Sequence, residues 1–253
     1  DVERVDNIIF CLRRTDSMRH LGIISGTISI DQNHLYGQEK RVVETAFGKA
    51  LVFFTEKFFY VPRHGHPGKA HILPHVLNHR ANLKALKELG AKEVIGISST
   101  GSLHKNLKPG TIVIPDDFIA ISGTPTTAAG KALHITPVLN DGIRTRLIAA
   151  ALDCGTDVIK EGIYWQTKGP RLETKAEIRM MALYAHIVGM TMASEAVVAC
   201  ELNLPYASIC SIDNYCHGIS EKPIKMREIT EGARKHRDAV FRIIEKYIEA
   251  MKI

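Results

Sequence analysis

The chain has 253 residues, of which 45% are hydrophobic and 24% charged, with a formal net charge of +6. This composition is typical of one folded α/β domain and excludes a disordered or fibrous chain. No apolar run approaches the about 20 residues that cross a bilayer, and no signal peptide is recognisable, so we expect a cytoplasmic protein without a membrane partner.

Charge and cysteine spacing narrow the function classes further. The basic residues are dispersed and are not interleaved with aromatic residues, so an anionic small substrate explains the charge as well as nucleic acid does, and no nucleic-acid partner is predicted. The five cysteines are odd in number and lack a C-x-x-C pair, which predicts reduced thiols. Residues 1–17 precede the first methionine and show no pattern. We expect them to be an extension outside the fold, with residues 18–253 forming a single domain.

The first half of the chain predicts strands that end in polar, glycine-containing segments, with one helix between them. In chain order these are a strand at 20–24 ending in Ser25-Gly26-Thr27, a strand pair at 50–54 and 58–61 followed by Arg63-His64-Gly65, a helix at 78–89 capped by Gly90, a strand at 94–97 ending in the polar run 98–102, and a strand at 111–114.

The second half predicts a binding loop followed by alternating helices and strands. In order these are the surface loop 122–132, a helix near 143–152, a strand at 162–166, a helix that starts with a capping box at Thr174 and Glu177, a strand at 186–190, a helix at 195–202 capped by Ser194, a strand at 206–212 and an amphipathic helix at 227–251. The alternation predicts a three-layer α/β fold, in which helices flank a mixed, mainly parallel central sheet.

The polar segments at 25–27, 63–65 and 98–102 predict an anion site. Ligands of such sheets collect at the carboxyl ends of the strands, and hydroxyls, glycine N–H groups and a guanidinium suit a phosphate dianion. None of the segments matches a Walker A loop or a Rossmann G-x-G-x-x-G, so neither ATP nor NAD is indicated.

A histidine-rich stretch offers a metal site as the alternative. Five histidines lie between His64 and His79, and His75 and His79 have the i, i+4 spacing. Val76, however, stands where a zinc protease needs its general-base glutamate. We therefore expect solvated or hydrogen-bonded histidines and no metal, with His71 near the substrate.

Several segments together resemble the trimeric purine nucleoside phosphorylase and methylthioadenosine phosphorylase family. The likeness extends from about His20 to the C-terminal helix and follows the family's order. It is carried by Gly22-Ile23-Ile24-Ser25-Gly26-Thr27, Arg63-His64-Gly65, Gly101-Ser102-Leu103, Gly169-Pro170-Arg171-Leu172-Glu173-Thr174 and Gly189-Met190-Thr191-Met192-Ala193-Ser194-Glu195.

The resemblance implies phosphorolysis of a purine nucleoside to free base and ribose 1-phosphate, with inorganic phosphate as co-substrate and no metal or organic cofactor. It places Met190 against the ribose, and Glu195 either on a ribose hydroxyl or simply at a helix N-terminus. The residues it places around phosphate are Thr27, Arg63, His64, Ser98 and Thr191.

On the base side, the resemblance implies a preference for 6-oxopurines. Glu173, next to Leu172, can accept a hydrogen bond from the N1–H of hypoxanthine or guanine, and Asn214 can serve O6 and N7. A one-residue gap near Ile212 would bring Asp213 to the base in place of Asn214. We expect Glu173, Asn214 and His64 to act in catalysis.

The resemblance also has implications for the 5′-substituent of the substrate and for the oligomeric state. Met226 stands where a histidine favours a 5′-hydroxyl, which makes 5′-methylthioinosine a candidate substrate. His134 resembles a histidine that a neighbouring subunit contributes, so we expect a homotrimer or a hexamer made of two trimers. The alternatives are a 5′-methylthioadenosine phosphorylase, a nucleosidase that uses water, and a catalytically silent purine-binding or nucleic-acid-binding protein.

Overall fold

The computed structural model of the protein describes residues 20–28, 38–65, 70–221 and 226–251, with the backbone alone for Met226 and Glu228. The expected extension at 1–17 and His66 lie outside these ranges. Within them, no helix is long and apolar enough to cross a membrane.

Eleven strands and five α-helices make up the described part of the chain. They are β1 Leu21–Ser25, β2 Glu39–Thr45, β3 Gly48–Phe54, β4 Phe59–Pro62, α1 His79–Glu88, β5 Glu93–Ser102, β6 Ile112–Val113, β7 Asp117–Ile119, α2 Asp141–Asp153, β8 Val158–Ile159, β9 Ile163–Gln166, α3 Lys175–Met181, β10 Ile187–Gly189, α4 Met192–Glu201, β11 Tyr206–Tyr215 and α5 Met226–Ala250.

The strands form one mixed sheet in which six of the ten described pairings are parallel. Its main path runs β2-β3-β4-β1-β5-β10-β9-β7, and β11 pairs with both β5 and β6. The predicted mixed, mainly parallel sheet is confirmed.

The long strand β5 creates the gap in which the site lies. β1 pairs with the first half of β5 and ends where Ser25 meets Ile97. On the same side, β10 pairs with the second half of β5 in the opposite direction, with Val188 opposite Gly101. The carboxyl ends of β1 and β10 therefore point towards each other across residues 98–100, the kind of switch point where α/β sheets bind ligands.

Helices cover both faces of this sheet. On one face, Leu83 and Leu86 of α1 and Val198 of α4 join a buried cluster with the strands. On the other face, Leu147 of α2 and Ile243 of α5 do the same. The predicted three-layer arrangement is confirmed, because each amphipathic helix buries its apolar side on the sheet.

Two local predictions were wrong. The run 98–102 continues strand β5 instead of forming a loop, because β11 pairs with it up to Ser102. Ser194 does not cap a helix; α4 begins at Met192, with Thr191 at the N-cap. The hydroxyl of Tyr164 accepts hydrogen bonds from the N–H groups of Thr191 and Met192, which allows the helix to start early, and Ser194 bonds Gln166 instead.

Candidate active site

A cavity of about 280 Å³ opens between the facing ends of β1 and β10. Its lining combines segments from both halves of the chain. The lining residues are Thr27, Arg63, His64, His71, Leu73, Pro74, Ser99, Thr100, Gly101, Pro170, Leu172, Glu173, Val188, Gly189, Met190, Thr191, Asn214, Cys216 and Ile229.

Arg63 follows β4 and is held by a carboxylate far away in the sequence. Its Nε and Nη2 donate to the two carboxylate oxygens of Glu195 at 2.5 and 3.0 Å, and its Nη1 donates to the carbonyl of Ile97 at 3.1 Å. Because a guanidinium carries five N–H donors, two remain for a ligand at the cavity. The arginine is 3% exposed, so its charge acts in a desolvated setting.

Glu195 is fully buried on α4 and orients this arginine. Its second oxygen also accepts from the hydroxyl of Tyr206 at 2.8 Å, and Nδ1 of His79 lies 3.7 Å from its first oxygen. Burial alone would raise the pKa of Glu195, but the charge of Arg63, with contributions from His79, lowers it to about 2. Glu195 lies in the first turn of α4, as one of the two roles inferred from the sequence requires, and it is absent from the cavity lining. Its bonds to Arg63 were not foreseen by either role.

His64 lies beside Arg63 in a fixed tautomer. Its Nδ1 lies 2.7 Å from the carbonyl oxygen of Ile72, and its ring stacks on that of His71 at 4.2 Å. Burial, followed by the charge of Arg63, lowers the pKa of His64 to about 4. The neutral ring must therefore donate from Nδ1, which leaves the Nε2 lone pair for a ligand.

A glycine makes room for the side chains of both Arg63 and His64. A Cβ atom at Gly26 would lie 2.8 Å from Nη1 of Arg63 and from Nε2 of His64. The glycine that follows β1 therefore lets the two side chains approach the backbone, and Thr27 stands exposed beside it at the rim.

Thr191 and Ser98 supply hydroxyls to the same region. Thr191 is 7% exposed, makes no capping hydrogen bond with its side chain and lies at the N-terminus of α4, a position that favours anions. Ser98 is buried on β5, and its Oγ has no hydrogen-bond partner among the described residues.

The cavity lining also includes a carboxylate and an amide, Glu173 and Asn214. Glu173 is 8% exposed and accepts a hydrogen bond from the hydroxyl of Thr167 at 2.6 Å. The predicted capping box at Thr174 and Glu177 is confirmed, and it fixes the start of α3 directly after Glu173. Cys216 lines the wall nearby, and burial raises the pKa of its thiol.

A β-bulge decides which residue of β11 faces the cavity. Ile212 pairs with Thr100 and Asn214 with Gly101, so Asp213 is the extra residue without a partner on β5. Asn214 lines the cavity, whereas the Asp213 carboxylate bonds Ser211 and His236 of α5. Of the two registers left open by the sequence, the structure has the one with Asn214 inside.

Most of the sequence-predicted site residues come together here. Those that line the cavity are Thr27, Arg63, His64, His71, Leu172, Glu173, Met190, Thr191 and Asn214. Ser98 lies behind the lining, and His134 stands exposed on the loop before α2. Met226 starts α5, and its side chain lies outside the described atoms.

Several lining residues were missed by the sequence analysis. Val188 and Ile229 were not singled out, whereas Ser99, Thr100 and Gly101 belong to the polar run 98–102 from which an anion site was predicted. Only Ile229 carried a usable signal, since it lies one turn after Met226 on a predicted helix. Within the described residues, no group of three or more metal-ligating side chains is assembled.

The comparisons with known proteins agree with this fold and cavity. The phosphorylase superfamily model matches residues 21–249. The chain is 38% identical to the "Probable 6-oxopurine nucleoside phosphorylase" of Archaeoglobus fulgidus, covering 90% of this chain and 96% of that protein. It is 35% identical to the "Probable S-methyl-5'-thioinosine phosphorylase" of Methanocaldococcus jannaschii, covering 90% and 91%.

A solved structure shows the same architecture. Methylthioadenosine phosphorylase from Schistosoma mansoni, in complex with adenine, superposes with a TM-score of 0.80 at 26% identity and covers 92% of both chains. Fold and cavity thus define an α/β protein whose cavity is lined by a buried arginine, a histidine and a carboxylate. The chain belongs to the phosphorylase superfamily.

Proposed function

We propose that the protein catalyses phosphorolysis of purine nucleosides, releasing the free base and a ribose 1-phosphate, with a preference for 6-oxopurines. One observation carries the proposal. One cavity is lined by both Arg63, His64 and Thr191, here called the first wall, and Glu173 and Asn214, here called the second wall. Relatives named as 6-oxopurine and methylthioinosine phosphorylases support it.

The first wall would bind and position inorganic phosphate. The free N–H groups of Arg63 and the hydroxyl of Thr191 can donate to phosphate oxygens, while neutral His64 can accept the proton of a hydrogen phosphate at Nε2. Thr27 and Ser98 supply further hydroxyls. Phosphate held in this way faces the anomeric carbon, which gains positive charge as the glycosidic bond stretches.

The second wall would stabilise the departing base. As the bond breaks, the purine gains negative charge, and the amide of Asn214 can donate to N7 or O6. Glu173 can accept from N1–H, a donor that 6-oxopurines carry and adenine lacks. These groups need no metal or organic cofactor for the reaction.

The sugar would lie between the two walls. Met190 and Ile229 supply apolar surface there, and Met226 starts the helix that carries Ile229. This surface suits a 5′-methylthio group, so 5′-methylthioinosine is a candidate substrate beside inosine and guanosine.

The assembly and compartment belong to the proposal as well. His134 is exposed and lies outside the cavity of its own chain, which agrees with a role in a neighbour's site in a homotrimer or hexamer. We expect a cytoplasmic enzyme of purine salvage.

A substrate panel separates this function from its alternatives. Inosine, guanosine, adenosine, 5′-methylthioinosine and 5′-methylthioadenosine are each incubated with and without phosphate, and free base is quantified. We expect phosphate-dependent release from the 6-oxopurine nucleosides. Faster release from 5′-methylthioadenosine would assign the methylthioadenosine activity instead, and release without phosphate would assign a nucleosidase.

A further inference from the structure

The two halves of the last helix, α5, pack on the sheet in different ways. Its second half buries Val240, Ile243, Ile244 and Tyr247 in the core. Among the described side chains of its first half, Ala233 alone is buried and apolar. Apolar contacts therefore hold residues 240–250 much more firmly than residues 226–236.

The first half of α5 makes two contacts with the bulge of β11, one polar and one of backbone packing. Nδ1 of His236 lies 3.0 Å from Oδ1 of Asp213, which also accepts from the Ser211 hydroxyl at 2.7 Å. One turn earlier, Gly232 packs on the backbone of Asp213, where an added Cβ would lie 2.6 Å from the carbonyl oxygen. Both contacts converge on the residue that the bulge turns away from the cavity.

The same helical face carries a cavity residue. Ile229 lies seven residues before His236, two turns along the helix and on one side of it. Ile229 lines the cavity, while Gly232 and His236 contact Asp213. Ile229 therefore lies on the same face of α5 as the two residues that contact Asp213.

We propose that Asp213 and His236 are positioning residues that clamp the first half of α5 to β11 and so hold Ile229 over the nucleoside. This inference rests on the proposed function, because it assigns the clamp to nucleoside binding and not to phosphate binding. The Asp213 carboxylate is 4% exposed, and its Oδ2 has no hydrogen-bond partner among the described residues. Removal of His236 leaves a buried charge with one fewer donor, which weakens the docking of the helix.

Kinetics of four variants and one control variant test the clamp. We expect His236→Ala and Asp213→Ala to raise the nucleoside KM about 10-fold, the order expected for a lost hydrogen bond to a charged group, and to change the phosphate KM less than about twofold. The double variant should be no worse than either single one, because both remove the same contact. His236→Gln, whose amide can donate to Asp213, should restore most of the affinity, and Lys235→Ala on the exposed face is the matched control.

Hydrogen exchange supplies a readout that needs no turnover. In His236→Ala, amides of 226–236 should exchange faster while those of 240–250 keep the wild-type rates. If His236→Ala does not fold, Asp213→Asn keeps the side-chain volume and an acceptor oxygen but removes the charge, so exchange at 226–236 should rise in the same direction by a smaller factor. Unchanged exchange at 226–236, an equal rise in both KM values, or multiplicative effects in the double variant would overturn the clamp. A wild-type protein that released no base would overturn the proposed function instead, and the exchange rates would still decide the clamp.

Discussion

Replacement of Glu195 by glutamine removes the negative charge that orients Arg63 while keeping the shape of the side chain. The amide can still accept one hydrogen bond, but its NH₂ group faces an arginine N–H where a second acceptor is needed. The guanidinium then loses its two-point attachment, and a buried positive charge is left without its partner.

The substitution is expected to have two separate effects, one on stability and one on phosphate binding. Loss of one partner of a buried ion pair costs about 3–5 kcal/mol of stability, which corresponds to a fall in Tm of roughly 6–20 °C for a domain of this size. The pKa of Glu195, lowered from 4.5 to about 2, indicates a similar contribution of about 3 kcal/mol. Because the folded pKa is depressed, this contribution is present above pH 4.5 and is lost as the pH falls towards 2.

The second effect concerns phosphate. If Arg63 no longer holds one charge-assisted hydrogen bond to phosphate, the loss is about 1.5–3 kcal/mol, or roughly a 10- to 150-fold higher phosphate KM. The nucleoside KM should change less than about threefold, since Glu195 makes no contact with the other wall.

Steady-state kinetics and thermal unfolding of Glu195→Gln measure both effects. Glu93→Gln is the matched control, because Glu93 also binds an arginine and a tyrosine, Arg146 and Tyr247, but lies outside the cavity. The control should lower Tm and leave the phosphate KM unchanged. A Glu195→Gln variant with reduced Tm and a wild-type phosphate KM would show that the carboxylate stabilises the fold without orienting Arg63 for phosphate.

Three further predictions concern the base wall and the phosphate wall. Asn214→Asp should shift the ratio of kcat/KM towards adenosine by about 10-fold or more, because a carboxylate accepts from the 6-amino group; an unchanged ratio would remove Asn214 from the base site. Thr167→Val should lower kcat/KM for inosine about 10-fold through loss of the hydrogen bond to Glu173, with phosphate binding measured in parallel as the control; equal losses for both substrates would refute this role. Nitrogen-15 NMR at pH 5.5 should find the free-enzyme ring of His64 neutral with the proton on Nδ1, because burial and the charge of Arg63 lower its pKa to about 4. A charged ring at that pH would contradict the lowered pKa, and a neutral ring with its proton on Nε2 would contradict the bond to Ile72.

The sequence predicted those helix ends that depend only on residues nearby in the chain. Gly90 follows α1 with φ of +97°, as the sequence predicted, while Asn78, which was included in the predicted helix, is its N-cap. The capping box before α3 is equally local. By contrast, β2 is mostly exposed and pairs only through its neighbour β3, so it lacks the apolar pattern that would have predicted it.

The site divides in the same way between local and long-range causes. Arg63 and His64 were predicted from their own segment, but the partner of Arg63 lies 132 residues further along the chain. No spacing rule connects Arg63 with Glu195, because the fold alone brings β4 and α4 together. The choice between Asp213 and Asn214 likewise depends on a bulge formed against β5, and a single strand sequence does not encode it.

Phosphorus-31 NMR of the reaction with inosine or 5′-methylthioinosine tests the central claim most directly. If phosphate held by Arg63, His64 and Thr191 attacks the anomeric carbon, a sugar 1-phosphate resonance should grow in step with the released base, and it should not form with Arg63→Ala. Release of base together with free ribose, while the inorganic phosphate signal stays constant, would contradict phosphorolysis.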